Sequence, residues 1–492
     1  MKQIRYYQII TAFCCLLLIS CGIDKNLKKG EKFLSLGEYY DAADQFKQAY
    51  TKTPPKEREN RGKLALKMAR CYNKINATPK AVNAYRNAIR YNQASLDDRL
   101  AYARLLLKNG EYKQAEKEFR ILVDSMPDNI LAQNGLKSAQ MAPVWKKAGS
   151  RYQVKKMDVF TSRRADYSPM LLGDEYEQIY FTSTRNDAQG DELSGITGTK
   201  AGDIFYSEKD DKGKWSRPEA IATGLNTDYD EGACCFTPDG KEMYLTQCVT
   251  DPASPRFAQI VTSSRSDAAW GKVQKLEITQ DTLSTYAHPA ISPDGEWLYF
   301  VSDMPGGMGG YDIWRVRITP SGLGGVENLG APINTPGDEM FPTFRPNGDL
   351  YFSSNGHIGM GGLDIYIARI NEKTQQYKIE HPGYPLNSEA DDFGMTFEGP
   401  HNRGFFSSNR KDGRGYDHIY SFQNPEIVTT MKGWVYEKDG YELPAAQVMV
   451  VGNDGTYRKL PVKSDGSFTL PIHPEVDYLV MASCKGFLNH KE

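Results

Sequence analysis

Five times between residues 173 and 420 the chain spells a tight turn, a strand of aromatic and aliphatic residues, a loop and a second short strand. The turn and first strand read TPDGKEMYLT from Thr237, SPDGEWLYFVS from Ser292 and RPNGDLYFSS from Arg345, with looser forms GDEYEQIYFTS from Gly173 and EGPHNRGFFSS from Glu398. The second strand comes next as Asp203-Ile204-Phe205, Gln259-Ile260-Val261, Asp312-Ile313-Trp314, Asp364-Ile365-Tyr366 and Asp417-His418-Ile419-Tyr420, at steps of 56, 53, 52 and 53 residues. Proline presets the backbone angle of such turns, glycine takes the positive one, and the strand residues suit a pleated surface. Near-equal steps with room for about four short strands each predict one sheet per step around a common axis, a five-bladed β-propeller over residues 151–427. A β-sandwich with long loops needs no equal period. The phrases LNTDYDEG, INTPGDEMF and LNSEADDFG open the blades that come after them.

In front of these repeats the pattern is helical with its own period. Ala42, Phe46, Ala49 and Pro54 return as Ala81, Tyr85 and Ala88, and again as Ala115, Phe119, Leu122 and Pro127, at steps of 39 and 34 residues. Gly30 with Phe33, Ala69 with Tyr72 and Ala103 with Leu106 supply the preceding small and bulky positions. Small residues let paired helices approach, and aromatics fill the space between them. This resembles the tetratricopeptide repeat, which implies an all-α solenoid over residues 21–150, three repeats closed by a helix from about Asn129 to Lys147. Such a surface binds peptides or partner domains. A generic array of helical hairpins would look much the same.

Net charge is only −2, but residues 22–150 carry +11 and residues 151–492 carry −15. A basic front raises nucleic-acid binding. No nucleic-acid partner is expected, however, because the lysines are spread along helices as a solvated face would have them, and the first residues point outside the cytoplasm. Lys2 and Arg5 precede an apolar run of 11 residues from Ile9 to Ile19, too short to span a bilayer. Residues 1–20 therefore read as a signal peptide. Leu18-Ile19-Ser20-Cys21 resembles the lipobox of bacterial lipoproteins, which implies lipid on Cys21 and membrane attachment through it.

Of eight cysteines, Cys14 and Cys15 leave with the signal peptide and Cys21 takes lipid. Cys71, Cys234, Cys235, Cys248 and Cys484 remain, an odd count for an oxidising compartment. Setting Thr237 opposite Glu242 sets Cys235 opposite Tyr244, four residues short of Cys248, so a bridge between Cys235 and Cys248 needs a bulge and stays open. No clustered His/Cys spacing announces a zinc site, and neither a metal nor a cofactor is expected.

The turn-strand motif resembles the PD40 class of WD40-like repeats of TolB-type propellers. Asp203, Asp312, Asp364 and Asp417 hold one place in four of the five repeats. A mechanism needs two unlike carboxylates converging on one point, so these four read as structural acceptors for backbone amides of the Gly306-Gly307 and Gly361-Gly362 loops. Because five-bladed glycosidases exist, Asp230, Glu231, Asp391 and Asp392 are the carboxylates a glycosidase reading would use. No Gly-x-Ser-x-Gly, P-loop or dinucleotide motif accompanies them, and no catalytic residue is assigned.

From residue 428 the strands Trp434 to Glu437, Ala446 to Val451 and Ser467 to Leu470 alternate with Asp-Gly turns, and this segment resembles the carboxypeptidase regulatory-like fold, a small β-sandwich without peptidase residues. Lipobox, tetratricopeptide repeats, PD40 blades and regulatory-like sandwich succeed one another as in the PorE-type lipoproteins of the type IX secretion system. The most specific stretches are AHPAISPDG from Ala287, SDMPGGMGGYDIW from Ser302, GMGGLDIY from Gly359, DDFGMTF from Asp391 and GWVYEKDGYELPAA from Gly433. The resemblance implies a non-enzymatic outer-membrane lipoprotein facing the periplasm, with envelope proteins as partners of the solenoid and propeller. Family members continue into an OmpA-like domain that grips peptidoglycan; the sequence stops at Glu492, a closing strand short of a full sandwich, so a fragment is expected and peptidoglycan binding belongs to that missing domain. A propeller glycosidase acting on surface glycans and a generic binding lipoprotein of an uptake system are the alternatives.

Overall fold

The computed structural model describes residues 23–492 apart from 174, 191–192, 222–223, 250–256, 267–268, 372–373, 375, 426–428, 474–475, 489 and 492. The apolar run from Ile9 and the expected lipid acceptor Cys21 lie outside the described residues. Among those described, no helix is long and apolar enough to cross a membrane. The chain divides into two compact units, Met1–Asn424 and Pro425–Glu492.

Among the described residues seven helices come first: α1 (23–35), α2 (Tyr39–Lys52), α3 (Arg58–Lys74), α4 (Thr78–Arg90), α5 (Leu96–Lys108), α6 (Tyr112–Ser125) and α7 (Ile130–Ala148). Successive helices from α2 onward pack on one another, and the recurring small and aromatic residues form their shared core, with Ala42, Phe46, Ala81, Tyr85, Ala115 and Phe119 all buried. Glycine is required where an aromatic ring meets the helix opposite. A Cβ on Gly30 would lie 2.6 Å from Phe46, and one on Gly135 2.2 Å from Phe119. α5 starts on a capping box in which Ser95 and Asp98 satisfy each other's backbone N–H groups. The Asp98 carboxylate also receives the Arg70 fork from α3, at 2.9 and 3.0 Å, which fixes where α5 points.

Antiparallel sheets come next. Sheet one orders Asp166–Leu172, Gln178–Ser183, Asp203–Glu208 and Glu219–Ala220. Sheet two begins Asp230–Phe236, Glu242–Val249 and Phe257–Ser266; sheet three Tyr286–Ile291, Trp297–Ser302, Asp312–Thr319 and Gly322–Asn328; sheet four Glu339–Phe344, Leu350–Ser354, Asp364–Ile370 and Tyr377–Glu380. Sheet five takes Asp392–Phe397, Arg403–Ser408 and His418–Gln423, and its fourth strand is Gln153–Lys156 from before sheet one. The first strands touch in a cycle, each sheet's to the next and sheet five's back to sheet one's. Each neighbouring pair shares one apolar cluster: Phe352 and Tyr366 meet Val301 and Ile313, for example, and Phe405 and Ile419 meet Phe160 and Phe181. Second strands are therefore buried on both faces, which is why they read as unbroken apolar runs rather than alternating ones. The result is a propeller-like ring.

Hairpins between first and second strands lie on one face of the ring, closed by Gly240, Gly295 and Gly348 at φ of 66°, 75° and 87°. The loops between second and third strands, and the linking phrases, lie on the other. The second unit, described by itself, pairs Thr429–Trp434 with Ser467–Ile472, and Gln447–Gly452 with both Tyr457–Pro461 and Tyr478–Ser483, over a core of Ala446, Val448, Val450, Phe468 and Leu470. Its first strand ends where the sequence places a beginning. Trp434 is the last ladder residue among those described, and beyond it Val435 N–H bonds the Gly466 carbonyl and Tyr436 bridges to Glu442 across the Asp439-Gly440 turn.

Candidate functional site

The linking phrases are three hydrogen-bonding devices written in succession. First, the asparagine clamps the third-strand isoleucine of the preceding sheet. Asn226 accepts from the Ile204 N–H and donates to its carbonyl, and Asn334 and Asn387 do the same to Ile313 and Ile365, all at 2.8–3.0 Å. Second, the hydroxyl residue after it bonds the acid four positions on. Glu231 accepts from the N–H and hydroxyl of Thr227, Glu339 from those of Thr335, and Asp392 from those of Ser388. Third, the preceding acid takes a backbone N–H from the loop of the earlier sheet: Asp230 from Gly202, Asp338 from Tyr311 and Asp391 from Leu363. All four carboxylates that a glycosidase reading would use are thus acceptors in the joints between sheets.

The length of the second acid tracks its partner. Asp166 and Asp392 each meet an arginine, Arg185 at 2.7 Å and Arg410, whereas Glu231 and Glu339 reach Gln247 and Ser354 with no cation within ion-pair distance among the described residues. Burial pushes Glu231 and Glu339 each up to about 7. For Glu339 the folded protein then holds a proton that the unfolded chain releases near pH 4.5, so stability falls as pH rises from there to about 7. Gln fits the same partners, its carbonyl facing the Thr335 N–H and its amide facing the hydroxyls of Thr335 and Ser354. Glu339→Gln should therefore match the parent at pH 4 and exceed it by about 1–3 kcal/mol at pH 8 in urea denaturation; equal stability at pH 8 would mean that Glu339 ionises without cost.

Of the residues expected at the blade turns, Asp203 accepts from the Gln189 N–H at 2.7 Å, Asp312 from Met308 N–H and Asn328, and Asp364 from the N–H groups of Met360 and Gly361 at 2.8 and 3.1 Å. Gly362 instead donates to the Glu389 and Ala390 carbonyls. The fourth position differs from expectation. His418, not Asp417, stands opposite Ser408, as Asp203 stands opposite Ser183 and Asp364 opposite Ser354. Asp417 lies one residue earlier, where its backbone carbonyl holds the Asp166 N–H at 2.9 Å and its Oδ1 has no partner among the described residues; burial, with Asp391 close by, pushes it up to about 7.

The helices cover this face. Tyr40 N–H bonds the Gly195 carbonyl, Asn134 the Gly356 carbonyl, and Ser138 receives the Gly359 N–H. Trp145 stacks on His381 at 4.5 Å. Lys108 of α5 sits 2.5 Å from Asp391, which also takes Asn76 and Asn409, and Lys146 of α7 sits 2.9 Å from Glu389. Lys108, the Leu363 N–H and Asn76 hold Asp391 below its ordinary range against the cost of burial. Lys108 thus faces the acidic half of the chain rather than solvent, and Lys146 pairs with that half from an exposed position. Sequence reasoning missed them; the only signal was the opposite charge of the two halves.

The axis itself is filled. Each first strand carries one residue of positive φ, namely Ser168, Ala233, His288, Phe341 and Gly394, and these converge. His288 stacks on Phe341 at 3.7 Å and Phe341 packs on Phe393 at 4.4 Å, leaving about 20 Å³ of space. Burial brings His288 down to about 3, so the imidazole is neutral. Cys235 lies opposite Tyr244 and Cys248 opposite Asp230, and both are free thiols.

No family model matches the chain, and no curated protein does. Among solved structures it is similar to a protein of unknown function from Dyadobacter fermentans DSM 18053, at 15% identity over 52% of this chain and 74% of that one, with a TM-score of 0.34. It is also similar to a thermostable family-43 glycoside hydrolase, at 12% identity over 58% and 94% of the two chains and a TM-score of 0.36. An alpha-L-arabinofuranosidase from Lactobacillus brevis matches at 12% identity over 58% and 95%, with a TM-score of 0.31. Similarity at this level assigns no residue a role.

Proposed function

We propose that the protein is a non-enzymatic scaffold of the cell envelope, in which a tetratricopeptide-like solenoid caps a five-bladed propeller and the outward faces of both receive other envelope proteins. The observation that carries this reading is the state of the mouth. Asp230, Glu231, Asp391 and Asp392 are each bonded to backbone amides of the joints, and Lys108 of α5 covers Asp391. A glycosidase needs two carboxylates free to flank a sugar. The order of segments, like that of PorE-type lipoproteins, extends the proposal to lipid on Cys21, an outer-membrane position facing the periplasm, and service to type IX secretion.

Affinity capture of the mature chain from envelope membranes should bring down components of that apparatus, and deletion of the gene should stop export of its cargo. Undiminished export would remove the secretion role and leave the scaffold. The rival reading, a glycoside hydrolase, takes its place if the purified chain cleaves aryl glycosides and loses that activity on Asp391→Asn while remaining folded.

A further inference from the structure

α5 brings Arg104 and Lys108 to the same face one turn apart, and the two cations meet different surroundings. Lys108 is spent on Asn76 and Asp391. Arg104 makes one hydrogen bond among the described residues, from Nη2 to the Asn355 carbonyl at 3.2 Å. A guanidinium carries five N–H donors. No carboxylate among the described residues stands within ion-pair distance of Arg104; Asp338 and Glu339 act on it only through space, and burial works against its charge. Beside it a cavity of about 440 Å³ opens between α3, α5 and the loops of sheets four and five.

The rest of the lining sorts by what remains free. Both Asp391 oxygens are occupied, those of Asp338 take the Tyr311 N–H and the Asn355 amide, and the Gly361 and Gly362 amides are spent within the loops. Lys74, exposed at the end of α3, lines the rim with no partner among the described residues, and Leu105 and Met340 supply apolar wall. Unpaired positive charge, a fork-shaped donor and an apolar wall in a space of ligand size together select for an anion on a carbon body.

We propose that this cavity binds a small carboxylate-bearing ligand, with Arg104 forking the carboxylate, Lys74 drawing it in, and Leu105 and Met340 packing against its apolar part. The site is built half by helices and half by sheet loops, so its ligand bridges the two and stabilises their contact. It does not depend on the scaffold reading.

Titration calorimetry on the mature chain tests it with three probes: N-acetyl-Leu-Ala, the same dipeptide as its C-terminal amide, and glucuronate. The free acid should bind, more weakly as salt rises, and the amide about tenfold or more weaker. Arg104→Gln should lose about tenfold, and Arg104→Lys should recover little, because an ammonium lacks the fork. Glucuronate binding in place of the dipeptide, with the same dependence on Arg104, supports the site and assigns it to sugar acids. Equal binding of acid and amide, indifference to Arg104→Gln, or no heat from either acid up to about 10 mM overturns the proposal. If Arg104→Gln fails to fold, the acid–amide comparison and the exposed variant Lys74→Gln, expected to weaken the acid a few-fold, decide it.

Discussion

Lys108→Met should destabilise the unit of helices and sheets by about 3–5 kcal/mol at neutral pH, because it leaves the Asp391 carboxylate buried without its counter-charge. Asp391 is 7% exposed and Lys108 17%, so water replaces little of what is lost. The sign of the pH dependence comes from Asp391 being held below its ordinary value, 3.8. A depressed carboxylate contributes stability above its unfolded value, and that contribution fades as pH falls through the folded one. The variant lacks the contribution at any pH, so its deficit should shrink as pH falls below 3.8 towards the folded value of Asp391. Urea midpoints at pH 7 and pH 3 measure this, and a deficit that does not change with pH would put the cause in lost packing. Asp391→Asn added to Lys108→Met should restore part of the stability.

Arg410→Met should cost more, about 4–6 kcal/mol, since several buried acceptors lose their donors at once. The Arg410 guanidinium contacts Asp392, bonds the carbonyls of Pro385 and Leu386 at 2.7 and 2.6 Å, and bonds the Ser408 hydroxyl at 2.9 Å. Its plane also lies 5.2 Å from the Phe406 ring and 5.3 Å from that of Tyr420. Lys is a poor substitute, because one ammonium has three donors in a different geometry. Thermal unfolding of Arg410→Met, Arg410→Lys and Arg410→Met with Asp392→Asn should give a severe, a severe and a milder loss in that order. A double variant no more stable than Arg410→Met would mean that the two orphaned carbonyls, not the charge on Asp392, account for the damage.

How much of this is readable in the sequence varies with the distance over which each bond reaches. The Pro-Asp-Gly turns are legible because their hydrogen bonds close within four residues, as from Gly295 N–H to the Ser292 carbonyl. The aromatic strands are legible for the same reason of locality. The Asn-Thr-acid phrases stand out as repeats, but their purpose does not, since Asn334 clamps a residue 21 positions earlier. Matching the aspartate by type puts Asp417 one residue off. Ile419 fixes the phase, pointing inward as Ile204, Ile313 and Ile365 do, and a slip of one residue turns every side chain to the other side. Lys108 and Arg104 are indistinguishable from solvated helix cations, because the groups that bury them are contributed more than 200 residues later.

Strand Gln153–Lys156 closes the ring by pairing with His418–Gln423, and the direction of that pairing has a mechanical consequence. Gln153 lies opposite Gln423 and Lys156 opposite Tyr420, so the chain enters and leaves the ring at the same end of one ladder. Tension between the helical segment and the chain beyond residue 424 therefore peels this ladder apart like a zip, one rung after another, instead of shearing all four rungs together. The clasp yields from Gln153 inward once the helices have left the sheet loops that hold them.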